Sequence, residues 1–289
     1  MVRLIARKKQ EKETIMRFDT SSLALPKVRY PRVSGFTLLE LMLVISIVVL
    51  VAGMLMSALN RTKNNALRLG CMDNLRQLQL AWGMYIEDNE DRMPLNQAGP
   101  IAFNSKLGPR SSTNSWVAGN PREDKNTDGL KRGSLFPYVR TTDVYKCPTD
   151  SSKVSGQPNI DRTRSYAVSA YLGGDNSDKD TRVKSKLSEL AEPGPSQTFV
   201  FIEEHENSLW GAGFTVLTPA QAALLSKAGI SGSTPSDHHN RGCYLTFADS
   251  HIEFWRWYTP KVVDSSVHVS SSAREKADFQ RLQNAVPLP

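Results

Sequence analysis

The feature that most restricts this chain is an apolar run, Ser34 to Leu55, "SGFTLLELMLVISIVVLVAGML", with one carboxylate, Glu40, near its start. From Phe36 to Ala58 no other residue is charged, and about 20 apolar residues suffice to cross the hydrocarbon core of a bilayer. Such a run is a membrane helix or an export signal. A secretory signal would have a shorter apolar core ending in a small-residue cleavage site, whereas here the run passes straight into "LNRTKNNALRLGCMDNLRQLQLAWGMYIED". In that continuation Leu67, Cys71, Leu75, Leu78, Trp82 and Ile86 recur every three or four residues, which places them in one stripe on a helix. The two stretches together predict one helix of about 50 residues, roughly 75 Å long at 1.5 Å per residue.

A formal net charge of +7 would ordinarily raise nucleic acid as a partner. The distribution argues against it. Residues 1–34 hold nine Lys/Arg against three Asp/Glu, so +6 of the charge precedes the apolar run and +1 remains for everything after it. A basic flank of this kind stays on the cytoplasmic side of a membrane, and no nucleic acid is expected to bind. With 289 residues the chain can bury a sizeable core as one large or two modest domains.

"SGFTLLE" followed by an apolar stretch resembles the prepilin-type cleavage and methylation signal of type IV pilins and type II secretion pseudopilins. The resemblance implies a cut by a prepilin peptidase between Gly35 and Phe36, methylation of the new terminus at Phe36, and Glu40 as the acidic residue that acts in assembly. The leader is longer than is usual for that family, which makes Met16 an alternative start. Further blocks, among them "LFPYVRTTDVYKCPTDSS", "VFIEEHENS" and "HHNRGCYLTFADSHIEFWRW", are similar to those of a large pseudopilin-like family of the Planctomycetes and Verrucomicrobia group. That family ends in a His, nine residues, Asp-Gly motif. His239 and Asp249 keep the spacing here, and Ser250 replaces the Gly.

Reading the remainder residue by residue, "TFVFIEE" (Thr198–Glu204), "CYLTFAD" (Cys243–Asp249) and "HIEFWRW" (His251–Trp257) are rich in β-branched and aromatic residues, as strands are. The last two pair most simply as a hairpin turning at Asp249 and Ser250, where Gly would accept a positive φ more readily than Ser. Thr218, Pro219 and Gly229 frame a short helix. Pro94–Arg132 and Thr149–Ser165 have the composition of loops. These readings divide the chain into a cleaved cytoplasmic leader (1–35), the transmembrane half of the long helix (36–58), its amphipathic half (59–87), an α+β head (88–264) and a loosely held tail (265–289). The expected fold class is α+β and pilin-like, with a long N-terminal membrane-spanning helix packed on a C-terminal antiparallel β-sheet head.

Three cysteines are present. If the head is exported, Cys71 and Cys147 could join in a disulfide in an oxidising compartment; the alternative is three buried thiols, with Cys243 a small core residue. Glu203, Glu204, His205, His238, His239, Asp249 and His251 include every residue type of a zinc hydrolase. Their spacing, however, matches no helical His-Glu motif, and neighbouring residues of a strand face opposite ways, so Glu203 and Glu204 do not readily share one ion. The plainer expectation is that His239 and Asp249 hydrogen-bond around the hairpin. "DKNTDG" resembles the first half of a calcium loop, with Asp124, Asn126 and Asp128 as oxygen donors but Leu135 where a closing Glu would stand. Calcium is thus the one cofactor these residues suggest. Trp255 and Trp257 share a strand face and are either core or, if exposed, a stacking surface for sugars or a partner.

The expected function is a non-enzymatic structural subunit of a type II secretion pseudopilus or type IV pilus-like fibre. Its partners would be the prepilin peptidase, other pilin or pseudopilin subunits, an inner-membrane assembly platform and membrane lipid. It would sit in the inner membrane as a single-pass protein, N-terminus cytoplasmic and head periplasmic. The alternative is a membrane-anchored periplasmic glycan-binding or hydrolytic protein exported with the same signal.

Overall fold

A computed structural model describes residues 35–96, 111–174, 181–216, 233–261 and 272–288. The leader and the helix expected at 218–229 lie outside the described residues. The chain divides into two units, Met1–Leu55 and Met56–Pro289.

The first unit contains the beginning of helix α1 (Leu38–Asp88). From Leu38 to Leu55 its large apolar side chains are exposed on every face, Leu38, Leu41, Val44, Ile45, Val48 and Leu55 among them. A helix that is apolar all round belongs either inside a large core or in a membrane; this one is long and apolar enough to cross a bilayer.

The second unit is built on the rest of α1 and a sheet. Its elements are α2 (Asp128–Lys131), α3 (Phe136–Val139), β1 (Lys153–Val154), β2 (Gln157–Asp161), β3 (Tyr166–Ser169), β4 (Phe199–Glu203), β5 (Gly213–Phe214), β6 (Gly242–Phe247), β7 (Ile252–Arg256) and α4 (Ala273–Gln283). Five strands form one sheet in the order β5-β3-β4-β6-β7. All its pairs are antiparallel except β3 with β5, so the expected antiparallel sheet is mixed at one edge.

Two cores lie against this sheet, and strand alternation sorts residues between them. On one side Cys71, Leu75, Leu78, Trp82 and Ile86 of α1 pack with Tyr166, Val168, Val200, Phe201 and Tyr244. The predicted apolar stripe is therefore the buried face of α1. On the other side Ala167, Ile202, Cys243, Leu245, Phe247, Trp255 and Trp257 form the second core. Val200 and Phe201 both reach the α1 side because the β4–β6 register shifts between Phe199 and Ile202, as a bulge allows. Gln79 of α1 is buried at this face and accepts a hydrogen bond from the Thr246 hydroxyl at 2.6 Å.

The β6–β7 hairpin has Thr246 opposite Ile252 and Gly242 opposite Arg256. Its turn is closed by Ser250 N–H to the Phe247 carbonyl at 2.8 Å, with Ser250 at φ 76°, the left-handed conformation that Gly would adopt more readily.

Two expectations are corrected. Thr149–Ser165 contains a two-stranded ribbon, β1 with β2. The tail from residue 265 is not loosely held over its described part: α4 starts at a Ser272 cap whose hydroxyl accepts the Glu275 N–H at 3.1 Å, and Leu282, Ala285 and Val286 bury in the second core. Burial of three apolar side chains in that core is what holds the segment. The Asp278 carboxylate adds bonds to the Tyr258 N–H at 3.0 Å and the Lys261 ammonium at 2.7 Å.

Candidate functional site

Two places concentrate chemistry, and the first is the start of α1. Thr37 precedes the helix, and its hydroxyl accepts the Glu40 N–H at 3.2 Å while Glu40 Oε2 accepts both the Thr37 N–H and the Thr37 hydroxyl at 2.9 Å. This is a reciprocal capping box, in which two N–H groups that the first helical turn leaves unpaired are satisfied by side chains. Glu40, alone among apolar residues, thus has a partner within its own chain. Gly35 and Phe36 lie just ahead of this cap, exposed and outside the helix. The Thr-x-x-Glu spacing before an apolar run is the sequence signature of such a cap.

Residues 30–56 match the family model of the prokaryotic N-terminal methylation motif. The chain carries a prepilin-type methylation signal. Gly35, Phe36 and Glu40 all fall within that match, which extends through the exposed apolar part of α1 to Met56. No curated protein and no solved structure matches the chain.

The second place is buried in the head. Cys71 on α1, Cys147 after the turn Asp143–Tyr145, Glu203 at the end of β4 and His239 just before β6 bring their ligand atoms within 4.8 Å of one another. All four side chains are buried. His239 Nε2 lies 3.3 Å from Cys147 Sγ and 3.3 Å from Glu203 Oε2, and Cys71 Sγ lies 3.7 Å from Glu203 Oε2. Local structure fixes the two cysteines. Gly70 lets the Cys-Pro loop approach α1, since a Cβ there would meet Pro148 Cγ at 3.2 Å. Asn74 of α1 donates to the Lys146 carbonyl at 2.9 Å, and the Ser165 hydroxyl accepts the Cys147 N–H at 3.0 Å.

The electrostatics reflect this crowding. Burial pushes the Glu203 carboxyl up, yet the imidazoles of His238 and His239 outweigh it and hold it at about 2. Burial pulls His239 down, and contact with Cys147 and Glu203 reverses this to about 9. Burial pushes the Cys71 thiol well up. For Cys147 the hydrogen bond from Cys71, with His239, overcomes burial and brings the thiol down to about 7. His238 is raised to about 11 by Glu203 and Glu206, at 3.3 and 3.1 Å.

The structure divides the residues singled out in the sequence. Glu203, His238 and His239 come together, and the cysteines join them. Glu204 does not: it turns towards Ser208 and Ser233, and burial raises its carboxyl to about 8, as alternation along a strand requires. His239 and Asp249 do not hydrogen-bond, contrary to expectation, because β6 runs between them and sets them at its opposite ends. Asp249 is exposed at the turn and pairs with His251 Nδ1 at 2.5 Å. Cys71 and Cys147 are neighbouring free thiols and Cys243 is a third buried thiol, which is the second of the two arrangements open to the cysteines and not the disulfide. In the calcium-loop segment, the Asn126 side-chain oxygen accepts the Asp128 N–H at 3.1 Å at the start of α2. The Asp124 carboxylate instead lies beneath Gly119 and Gly129, an arrangement that builds a turn.

Nothing local in the sequence announced the cluster. Its members are 132 residues apart from Cys71 to Glu203 and 92 from Cys147 to His239. The sequence offered the two halves separately, Cys71 with Cys147 as a cysteine pair and Glu203 with His239 among the metal-ligand types, and nothing in it joined them.

Proposed function

We propose that this chain is a structural subunit that a prepilin peptidase cuts between Gly35 and Phe36 and methylates at Phe36. The first half of α1 holds it in the inner membrane with the head on the periplasmic side, and the subunit then assembles into a type II secretion pseudopilus or type IV pilus-like fibre. The chain performs no reaction of its own. The observation that supports this reading is the methylation motif at residues 30–56 on a helix whose large apolar side chains from Leu38 to Leu55 are exposed to its surroundings. Such a surface needs lipid before assembly and neighbouring helices after it.

Cleavage would create a cationic amine on Phe36, next to the Thr37–Glu40 cap. A carboxylate inside an apolar span is costly unless compensated. The cap compensates it in the single subunit; in the fibre the Phe36 amine of an adjoining subunit does so, which fixes register because any other register leaves the charge alone. The glycan-binding alternative loses its main support, since Trp255 and Trp257 are buried in the second core with their indole N–H groups bonded to the Glu253 carboxylate and the Ser236 carbonyl.

The test is co-expression of tagged and untagged full-length chain at low level, followed by cross-linking. Wild type should yield mixed multimers, and Glu40→Leu should be inserted and cleaved normally but enter multimers several-fold less. Equal incorporation would sink the charge-pairing account. Absence of any multimer containing processed wild type would sink the structural-subunit reading.

A further inference from the structure

We propose that Cys71, Cys147, Glu203 and His239 form a closed structural zinc site that ties α1, the Cys-Pro loop, β4 and the segment before β6 to one another. The argument begins with ligand type. Two thiols, an imidazole nitrogen and a carboxylate oxygen are the donors that zinc takes, four at a time and tetrahedrally, in structural sites. No helix terminus or acidic patch is involved, and all four groups are withdrawn from solvent.

Geometry agrees. Tetrahedral bonds of the usual zinc lengths place neighbouring ligand atoms roughly 3.3 to 3.8 Å apart. The separations here are 3.3 Å for His239 Nε2 to Glu203 Oε2, 3.3 Å for His239 Nε2 to Cys147 Sγ and 3.7 Å for Cys71 Sγ to Glu203 Oε2. Those three match edges of such a tetrahedron, and the remaining three separations are within 4.8 Å. A disulfide between the two sulfurs would explain neither the buried carboxylate nor the histidine that completes the set.

The surroundings have the supporting contacts that metal sites use to orient their ligands. The Tyr166 hydroxyl donates to Cys71 Sγ at 3.3 Å, and the Thr149 hydroxyl lies 2.9 Å from Cys147 Sγ. The second oxygen of Glu203 faces His238 Nδ1 at 3.3 Å, and His238 Nε2 in turn meets Glu206 at 3.1 Å. A cleft of about 660 Å³ has Asn74, Lys146, Cys147 and Asp150 in its wall, so the cluster borders it on the Cys147 side. Since the protein supplies all four positions, the ion would have no place for a substrate. Its effect would be stability, as for any ligand bound only by the folded state.

The full-length chain is extracted in detergent without added metal or chelator and its zinc is measured by elemental analysis, with a parallel sample alkylated at lysis for non-reducing peptide mapping. About one zinc per chain is expected, falling at least tenfold in Cys71→Ser, Cys147→Ser and His239→Gln. Cys243→Ala, on the opposite face of the sheet, should retain it. Should the ligand variants fold poorly, cobalt(II) titration of reduced, metal-stripped wild type gives an independent answer. Saturation at one equivalent with a thiolate-to-metal charge-transfer band and the intense visible bands of a tetrahedral ion would support the site. Zinc-free wild type with no such spectrum would overturn the proposal, and so would recovery of Cys71 disulfide-linked to Cys147 from the alkylated sample.

Discussion

The two halves of α1 share a backbone and nothing else that stabilises them. Between Phe36 and Leu59 the large apolar side chains are exposed on all faces, and the polar contact at the start is the Thr37–Glu40 cap. Between Cys71 and Ile86 the apolar residues fall on one stripe and are buried against the sheet. The first half is a helix because an apolar medium leaves backbone groups no partner but each other. The second is a helix because its stripe packs, and most helical stability in water comes from such packing rather than propensity. Composition specifies one half and tertiary contact the other, so substitutions in the two should read out in different assays.

The sharpest form of that contrast is a pair of variants. Trp82 is fully buried in the first core, and Trp82→Ala should destabilise the head by about 3 to 5 kcal/mol. Val48→Ala removes an apolar side chain of the exposed half and should change head unfolding by less than about 0.5 kcal/mol. Denaturant unfolding of the detergent-extracted chain, followed by tryptophan fluorescence, measures both. A comparable loss in Val48→Ala would mean that the two halves are not independently stabilised.

What the sequence made legible follows the same division. The length of α1, its buried stripe and the β6–β7 hairpin came from periodicity and composition, which are local properties. The buried cluster did not, because Cys71, Cys147, Glu203 and His239 converge only through the packing of four separate segments. The motif spacing from His239 to Asp249 even misled, since a strand between two residues separates them instead of joining them. The tail escapes for a different reason: α4 is polar on most of its faces, and Leu282 near its end with Ala285 and Val286 just beyond it are too few buried apolar residues to show as a pattern. Its Ser272–Glu275 cap, like the Thr37–Glu40 cap, was a local signal open to reading.

A smaller effect bears on the exposed half alone. Thr37→Ala removes the hydroxyl that accepts the Glu40 N–H and should weaken the first turn of α1 by about 1 kcal/mol. Hydrogen exchange of the full chain in detergent should then show faster exchange confined to the first turn, with α1 beyond Cys71 unchanged. Exchange that quickens through the buried half would instead show that the cap stabilises the helix as a whole.

The most direct test of the account is the covalent state of the N-terminus, because membrane residence, the role of Glu40 and assembly all depend on processing. Intact mass and N-terminal analysis of the membrane-extracted chain, made in cells that contain a prepilin peptidase, should show a protein beginning at N-methylated Phe36. A chain that keeps Gly35 and the basic residues before it, in the presence of an active peptidase, would contradict the account.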